Sequence, residues 1–187
     1  MGKEYDAIDA KLTAWIQRQK IFFVATAPLS ADGLVNCSPK GRDTLRVLGP
    51  GELAYLDLPG SGVETIAHVK ENARIVIMLC AFEGPPKILR FHGTGQVVLA
   101  GSSEFDELIG LFPEPPCEPR SVIRIAVHRI ADSCGYGVPL YAYESDRRSI
   151  ENYIATHDDA ERREYIAREN KTSLDGLPGM GIDKKAI

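Results

Sequence analysis

The sequence predicts a mainly β, α+β fold: an antiparallel barrel with peripheral helices and a helical C-terminal extension. Three observations carry this. About seven β-branched or alternating runs are separated by Gly- and Pro-rich turns rather than by the 10–15-residue helical patterns of a doubly wound sheet. A long run over 87–99 is interrupted by Gly93 and Gly95, the kind of bulge or bend that lets a sheet curl. Residues 144–171 hold eight acids and six bases beside narrow apolar stripes (Ile150, Tyr153, Ile154, Tyr165, Ile166), as solvated helices do. With 187 residues, 44% of them hydrophobic and 26% charged, the chain can build a core without metal or disulfide staples. One domain is expected, a barrel over 1–143 with the extension 144–187 as part of it.

Taken in order, Tyr5, Ile8, Leu12, Trp15 and Ile16 fall on one face of a helix over 4–18. Strands over 21–26 and 34–38 flank a turn at Ala31-Asp32-Gly33, and strands over 44–48 and 53–58 flank Gly49-Pro50-Gly51. Pro59-Gly60-Ser61-Gly62 then leads into a helix over 63–70 carrying Val63, Ile66, Ala67 and Val69. Strands over 74–82 and 87–99 are joined by Glu83-Gly84-Pro85-Pro86, which cannot extend either ladder. Ser103-x-x-Asp106 approximates a capping box before Phe105, Leu108, Ile109 and Phe112. Pro113, Pro115, Pro116 and Pro119 read as a stiff surface connection. Ile123, Ile125 and Val127 alternate with Arg124, Ala126 and His128 in a last strand over 122–130. After Leu174 the chain reads as a loosely held tail ending in Lys184-Lys185-Ala186-Ile187.

Several function classes drop out. A net charge of -4 gives no basic excess for a nucleic-acid backbone. No apolar run approaches the roughly 18 residues of a membrane span, and the acidic start lacks the features of a signal, so a cytoplasmic protein with no membrane partner is expected. Cys37, Cys80, Cys117 and Cys134 form no C-x-x-C pair, which points to reduced thiols and no metal site. His68, His92, His128 and His157 are equally scattered, and no Walker, Rossmann, G-x-S-x-G or H-E-x-x-H signature occurs.

The segment from Asp57 to Thr65 has the most chemical content. Its glycines let backbone amides approach a ligand, and the following helix start supplies unpaired N–H donors that favour an anion. Ser61 and Thr65 add hydroxyls, while Glu64 would oppose a nearby phosphate. Lys40 and Arg42 at a strand end, with Lys87 and Arg90 on a later strand, offer cations. Each charge-assisted hydrogen bond contributes about 1.5–3 kcal/mol, so three anchor a phosphorylated cofactor. Ser133 to Pro139 places Tyr136 between two glycines, which would let the backbone pass close to a planar ring.

The run Phe22-Phe23-Val24-Ala25-Thr26 to Val35-Asn36-Cys37-Ser38-Pro39-Lys40-Gly41, followed by Leu53-Ala54-Tyr55-Leu56-Asp57, Gly62-Val63-Glu64-Thr65-Ile66-Ala67-His68 and Glu71-Asn72-Ala73-Arg74-Ile75, resembles the FMN-binding split β-barrel of the pyridoxamine 5'-phosphate oxidase-like family. The resemblance runs over about residues 20–130. It implies FMN as cofactor, with Lys40 and Arg90 near the phosphate, Gly62, Glu64 and Thr65 around the helix start, and the backbone of Asn36, Cys37 and Ser38 along the flavin ring. It also implies a homodimer with the flavin site at the subunit interface. The sequence departs from the family at Glu64, where members show a positively charged Ser-Arg-Lys-like string. It departs again after the last strand, where Ser133-Cys134-Gly135-Tyr136-Gly137-Val138-Pro139 and the end at Ile187 lack the Arg-containing grip on vitamin B6. The function expected is therefore an FMN-dependent oxidoreductase with an unidentified small-molecule substrate, in which the flavin carries the hydride and no catalytic residue is named. The alternatives are a non-catalytic flavin, deazaflavin or haem-binding barrel acting as sensor or store, with His92, His128 or Cys134 as haem ligands, and a cofactor-free structural barrel.

Overall fold

The computed structural model describes residues 2–180, so the chain end Lys184-Lys185-Ala186-Ile187 lies outside the described residues. Eight strands and five helices run in the order β1 (Glu4–Tyr5), α1 (Ala10–Arg18), β2 (Phe22–Thr26), β3 (Asn36–Lys40), β4 (Leu45–Gly49), β5 (Glu52–Asp57), α2 (Glu64–Asn72), β6 (Arg74–Cys80), β7 (Ile88–Leu99), α3 (Ser103–Ile109), β8 (Ser121–Ser133), α4 (Ser149–Thr156) and α5 (Asp159–Glu169). The strand pairs are antiparallel and follow the path β3-β2-β6-β7-β8-β5-β4, with β1 added against β8.

Chain connectivity forces this sheet to curl. Its two edge strands, β3 and β4, are consecutive in sequence and joined only by residues 41–44. That link reaches at most about 17 Å, whereas a flat sheet would hold the edges of a seven-strand path about 29 Å apart. The sheet therefore closes on itself with a split between β3 and β4. Arg42 and Asp43 turn the corner with φ of 60° and 53°, a left-handed conformation that non-glycine residues rarely adopt. Inside lie Phe22, Val24, Leu53, Tyr55, Ile77, Leu79, Leu89, Phe91, Ile123 and Ile125, all buried. The expected irregularity at Gly93 is present: β7 and β8 slip register between His92 and Gly93. A Cβ there would lie 2.5 Å from Ile125 Cγ2 and 2.6 Å from the Ala126 carbonyl oxygen, so only glycine fits.

Three local expectations need correction. The first helix does not begin at residue 4: Asp9 caps it by accepting from the Leu12 amide at 2.7 Å, while Glu4 and Tyr5 pair with Ala131 and Ile130. Tyr5 matched the helical period but makes a strand contact, its hydroxyl donating to Asp132. The cap of α3 is Ser102 rather than Ser103. The tail after Leu174 is tied down as far as residue 180: Asp175 accepts from the Leu34 amide at 3.0 Å, Lys70 donates to the Gly179 carbonyl at 2.7 Å, and Met180 packs on the core.

Candidate functional site

The split between β3 and β4 opens at the end of the barrel where α2 begins, and a cleft of about 370 Å³ lies there. Its walls are the end of β3, the turn 41–44, the loop 58–62, the first turn of α2, Arg120, and Ile150 from α4. Among its lining residues Lys40, Arg42 and Arg120 are cations and Glu64 is the one acid. The volume is within the roughly 300–1,000 Å³ range of small-molecule sites.

Beneath the cleft sits Asp57, fully buried. It ends the inward-facing row Leu53, Tyr55, Asp57 of β5 and pairs across the ladder with Ser121, so Arg120, one residue earlier, comes beside it. Arg120 Nε donates to Asp57 Oδ2 at 2.6 Å, and Lys40 Nζ, reaching across the split, donates to Oδ1 at 3.1 Å. Burial on its own would raise the Asp57 carboxyl, but the Lys40 and Arg120 charges and hydrogen bonds outweigh it and hold Asp57 below the ordinary carboxylate range. Burial and the nearby Asp57 charge push the Tyr55 phenol well up, and its hydroxyl has no hydrogen-bond partner of good geometry.

Arg120 has further contacts. Its Nη1 donates to the Gly62 carbonyl at 2.8 Å and to Asn170 Oδ1 at 2.6 Å, and Asn170 Nδ2 donates to the Gly60 carbonyl at 2.9 Å. The glycine loop is thus clamped by one residue of the barrel and one of the C-terminal segment. The start of α2 has no side-chain cap. The Glu64 carboxylate folds back against Gly62, where Oε2 lies 2.3 Å from the position a Cβ would take, and Oε1 accepts from the Leu174 amide.

A polar chain runs behind the cleft. The Asn36 amide donates to Thr65 Oγ1 at 3.0 Å and to Thr26 Oγ1 at 3.1 Å, and Thr26 Oγ1 is hydrogen-bonded to His68 Nδ1 at 3.0 Å. His68 Nε2 is turned toward Asp175 Oδ2 at 3.5 Å, a near contact rather than a formed hydrogen bond. On the opposite rim, Arg42 makes a two-pronged pair with Glu151 of α4, which draws that carboxyl down to about 2.

The structure brings Ser38, Lys40, Ser61, Gly62, Glu64 and Thr65 together around the cleft, with Asn36 and Asp57 directly behind. Cys37 is exposed on the other face of β3. Arg90 is not at the cleft: it alternates with the inward Leu89 and Phe91, faces out of the barrel, and donates to Ser133 Oγ. Lys40, paired with the buried Phe22, is on the inner side. Tyr136 is 82% exposed and away from the cleft, as is Cys134. His92 and His128 do not line it either. The residues missed from sequence are Arg120 and Asn170. The signal for Arg120 was a lone cation immediately before a strand; Asn170 gave none.

A closed antiparallel sheet split at one seam, with a polar cleft between a strand end and a helix start, defines a split-barrel protein. The family profile of pyridoxamine 5'-phosphate oxidase matches residues 8–134. The pyridoxamine 5'-phosphate oxidase family protein ustO of Aspergillus flavus is 33% identical over 192 aligned residues, covering 94% of this chain and 77% of ustO. The chain belongs to the pyridoxamine 5'-phosphate oxidase family. Among solved structures it is similar to HupZ of Group A Streptococcus, with 25% identity, a TM-score of 0.52, and 67% of this chain and 99% of HupZ covered. A second is a putative pyridoxamine 5'-phosphate oxidase of Lactobacillus delbrueckii, with 16% identity, a TM-score of 0.51 and coverage of 68% and 98%, a likeness of fold.

The cleft's residues fit a phosphorylated flavin: a glycine loop, a helix start free of side-chain capping, and the cations Lys40 and Arg120, which outnumber the one carboxylate, Asp57, that they share.

Proposed function

We propose that this protein is an FMN-binding flavoprotein and an oxidoreductase acting on a small molecule. The observation that carries the reading is the cleft at the barrel split, where Lys40, Arg42 and Arg120 converge with the glycine loop and the uncapped α2. A bound flavin would supply hydride transfer at its ring. The chain's part is to hold the phosphate end with Lys40, Ser61 and Thr65, and to offer the ring the unpaired outer edge of β3, along Asn36, Cys37 and Ser38. One phosphate pocket and no dinucleotide fingerprint favour FMN over FAD. Arg90 and Tyr136 would then reach a flavin only from a second copy, in a homodimer with the site at the subunit interface. Exposed Leu34, Val35, Leu140 and Tyr141 supply apolar surface for such a contact. The free thiols support a reducing, cytoplasmic setting.

The test is to titrate the purified protein with FMN, riboflavin and FAD, following flavin fluorescence and absorption, with light scattering in parallel. FMN tighter than riboflavin and FAD, in a dimer, is expected. A protein that quenches none of the three is not a flavoprotein, and a stable micromolar monomer removes the interface site.

A further inference from the structure

We propose that Asn170 is a positioning residue of this cleft, so that the C-terminal segment is a working part of the flavin site; the proposal rests on the flavin reading above. Asn170 is fully buried although it belongs to a highly charged extension. Its backbone is held on both sides, the amide donating to the Ile166 carbonyl at 2.8 Å and the carbonyl accepting from the Met180 amide at 2.8 Å. Gly179 packs so closely that a Cβ there would lie 2.4 Å from the Asn170 carbonyl oxygen and 2.6 Å from Val63 Cγ1. The side chain is therefore delivered to one place. Its oxygen accepts a hydrogen bond from Arg120 and its nitrogen donates one to the Gly60 carbonyl.

The consequence is read from peptide geometry. There are no cis peptide bonds among the described residues, and in a trans peptide the C=O and the next N–H point in opposite directions. Holding the Gly60 carbonyl on Asn170 turns the Ser61 N–H away from the clamp, and holding the Gly62 carbonyl on Arg120 does the same for Val63 N–H. Neither amide is given away to a backbone acceptor among the described residues. With two glycines in three residues the loop would otherwise sample many orientations. Asn170 and Arg120 thus fix the peptide planes that carry two amide donors, one of them on Ser61 of the cleft lining, which prepares that loop for the terminal phosphate rather than for the ring.

The experiment measures dissociation constants of FMN and riboflavin for wild type and Asn170→Ala. It also follows the Ser61 and Val63 amide resonances of the wild type during both titrations, so the outcome does not depend on the variant folding. FMN weakened about tenfold with riboflavin changed less than about twofold, and amides that shift with FMN but not riboflavin, are expected. Equal weakening of the two flavins, or amides indifferent to the phosphate, overturns the role of Asn170 and leaves the flavin reading standing. A wild type that binds neither flavin overturns both.

Discussion

Replacing Arg120 by alanine removes the donor that Asp57, the Gly62 carbonyl and Asn170 all share. The Arg120 side chain is 6% exposed and Asp57 is 0% exposed, so water cannot substitute freely for the lost bonds. Lys40, 22% exposed, remains as the charged partner of the carboxylate among the described residues, beside the Ser121 hydroxyl at 3.4 Å. Breaking a buried pair by removing one member costs about 3–5 kcal/mol, because the other charge stays desolvated. For a chain of this size that corresponds to a fall in melting temperature of about 6–20 °C. Urea denaturation of Arg120→Ala, Asp57→Asn and the double variant gives the assay. The double variant should be less damaged than the sum of the singles by about 0.5–3 kcal/mol, since the charge that Arg120 neutralises is then gone. Arg120→Lys should fall between, keeping the charge but not the fork that reaches Asp57 and Gly62 together. A loss under about 1 kcal/mol for Arg120→Ala, or strict additivity with Asp57→Asn, would show that the clamp does not hold the loop.

The acid limb of stability follows from the same carboxylate. The folded-state pKa of Asp57 is depressed, so its contribution is present above the unfolded value of about 3.9 and is lost as pH falls through the folded value; the stability gap between wild type and Asp57→Asn should therefore shrink below pH about 4. Gly93→Val should lose about 1–3 kcal/mol by denaturation, because the added side chain meets the Ala126 backbone, and an undiminished midpoint would mean the bulge can relax. Glu64→Gln should tighten FMN by about fivefold, equivalent to about 1 kcal/mol of removed like-charge repulsion, while leaving riboflavin unchanged; calorimetric titration separates the two.

What was legible in the sequence is what is decided locally. Turns such as Ala31-Asp32-Gly33 and Gly49-Pro50-Gly51 and the alternation in β8 gave the strands, and Gly93 gave the bulge. The Asp9 cap was present too, yet Tyr5 fell on the helical period and masked it; β1 is only two residues long and exists because β8 offers it an edge. The site was half legible. Lys40 and the 57–65 segment are adjacent in the fold because β3 and β5 end on the same side of the split. Arg120 is 63 residues from Asp57, and Asn170 is 50 residues from Arg120 and 110 from Gly60, so no local pattern announces them. Arg90 shows the other side of this: its apolar neighbours Leu89 and Phe91, one position to either side, place it on the outer face, away from the cleft of its own chain.

A carboxylate below a cleft meant for an anion needs a physical reason, and the charge count supplies it. Lys40 and Arg120 each carry +1 and Asp57 carries -1, so the trio sums to +1. Without Asp57, two like charges on opposite sides of the split would face each other in a poorly solvated place and move apart toward water. With it, Lys40 is drawn across the seam and Arg120 is aimed at the Gly62 carbonyl, and the trio keeps its net positive charge at the floor of the cleft. Asp57, the first residue of the segment singled out from sequence, thus acts from beneath: it positions the cations in advance, so that a bound anion does not have to gather them.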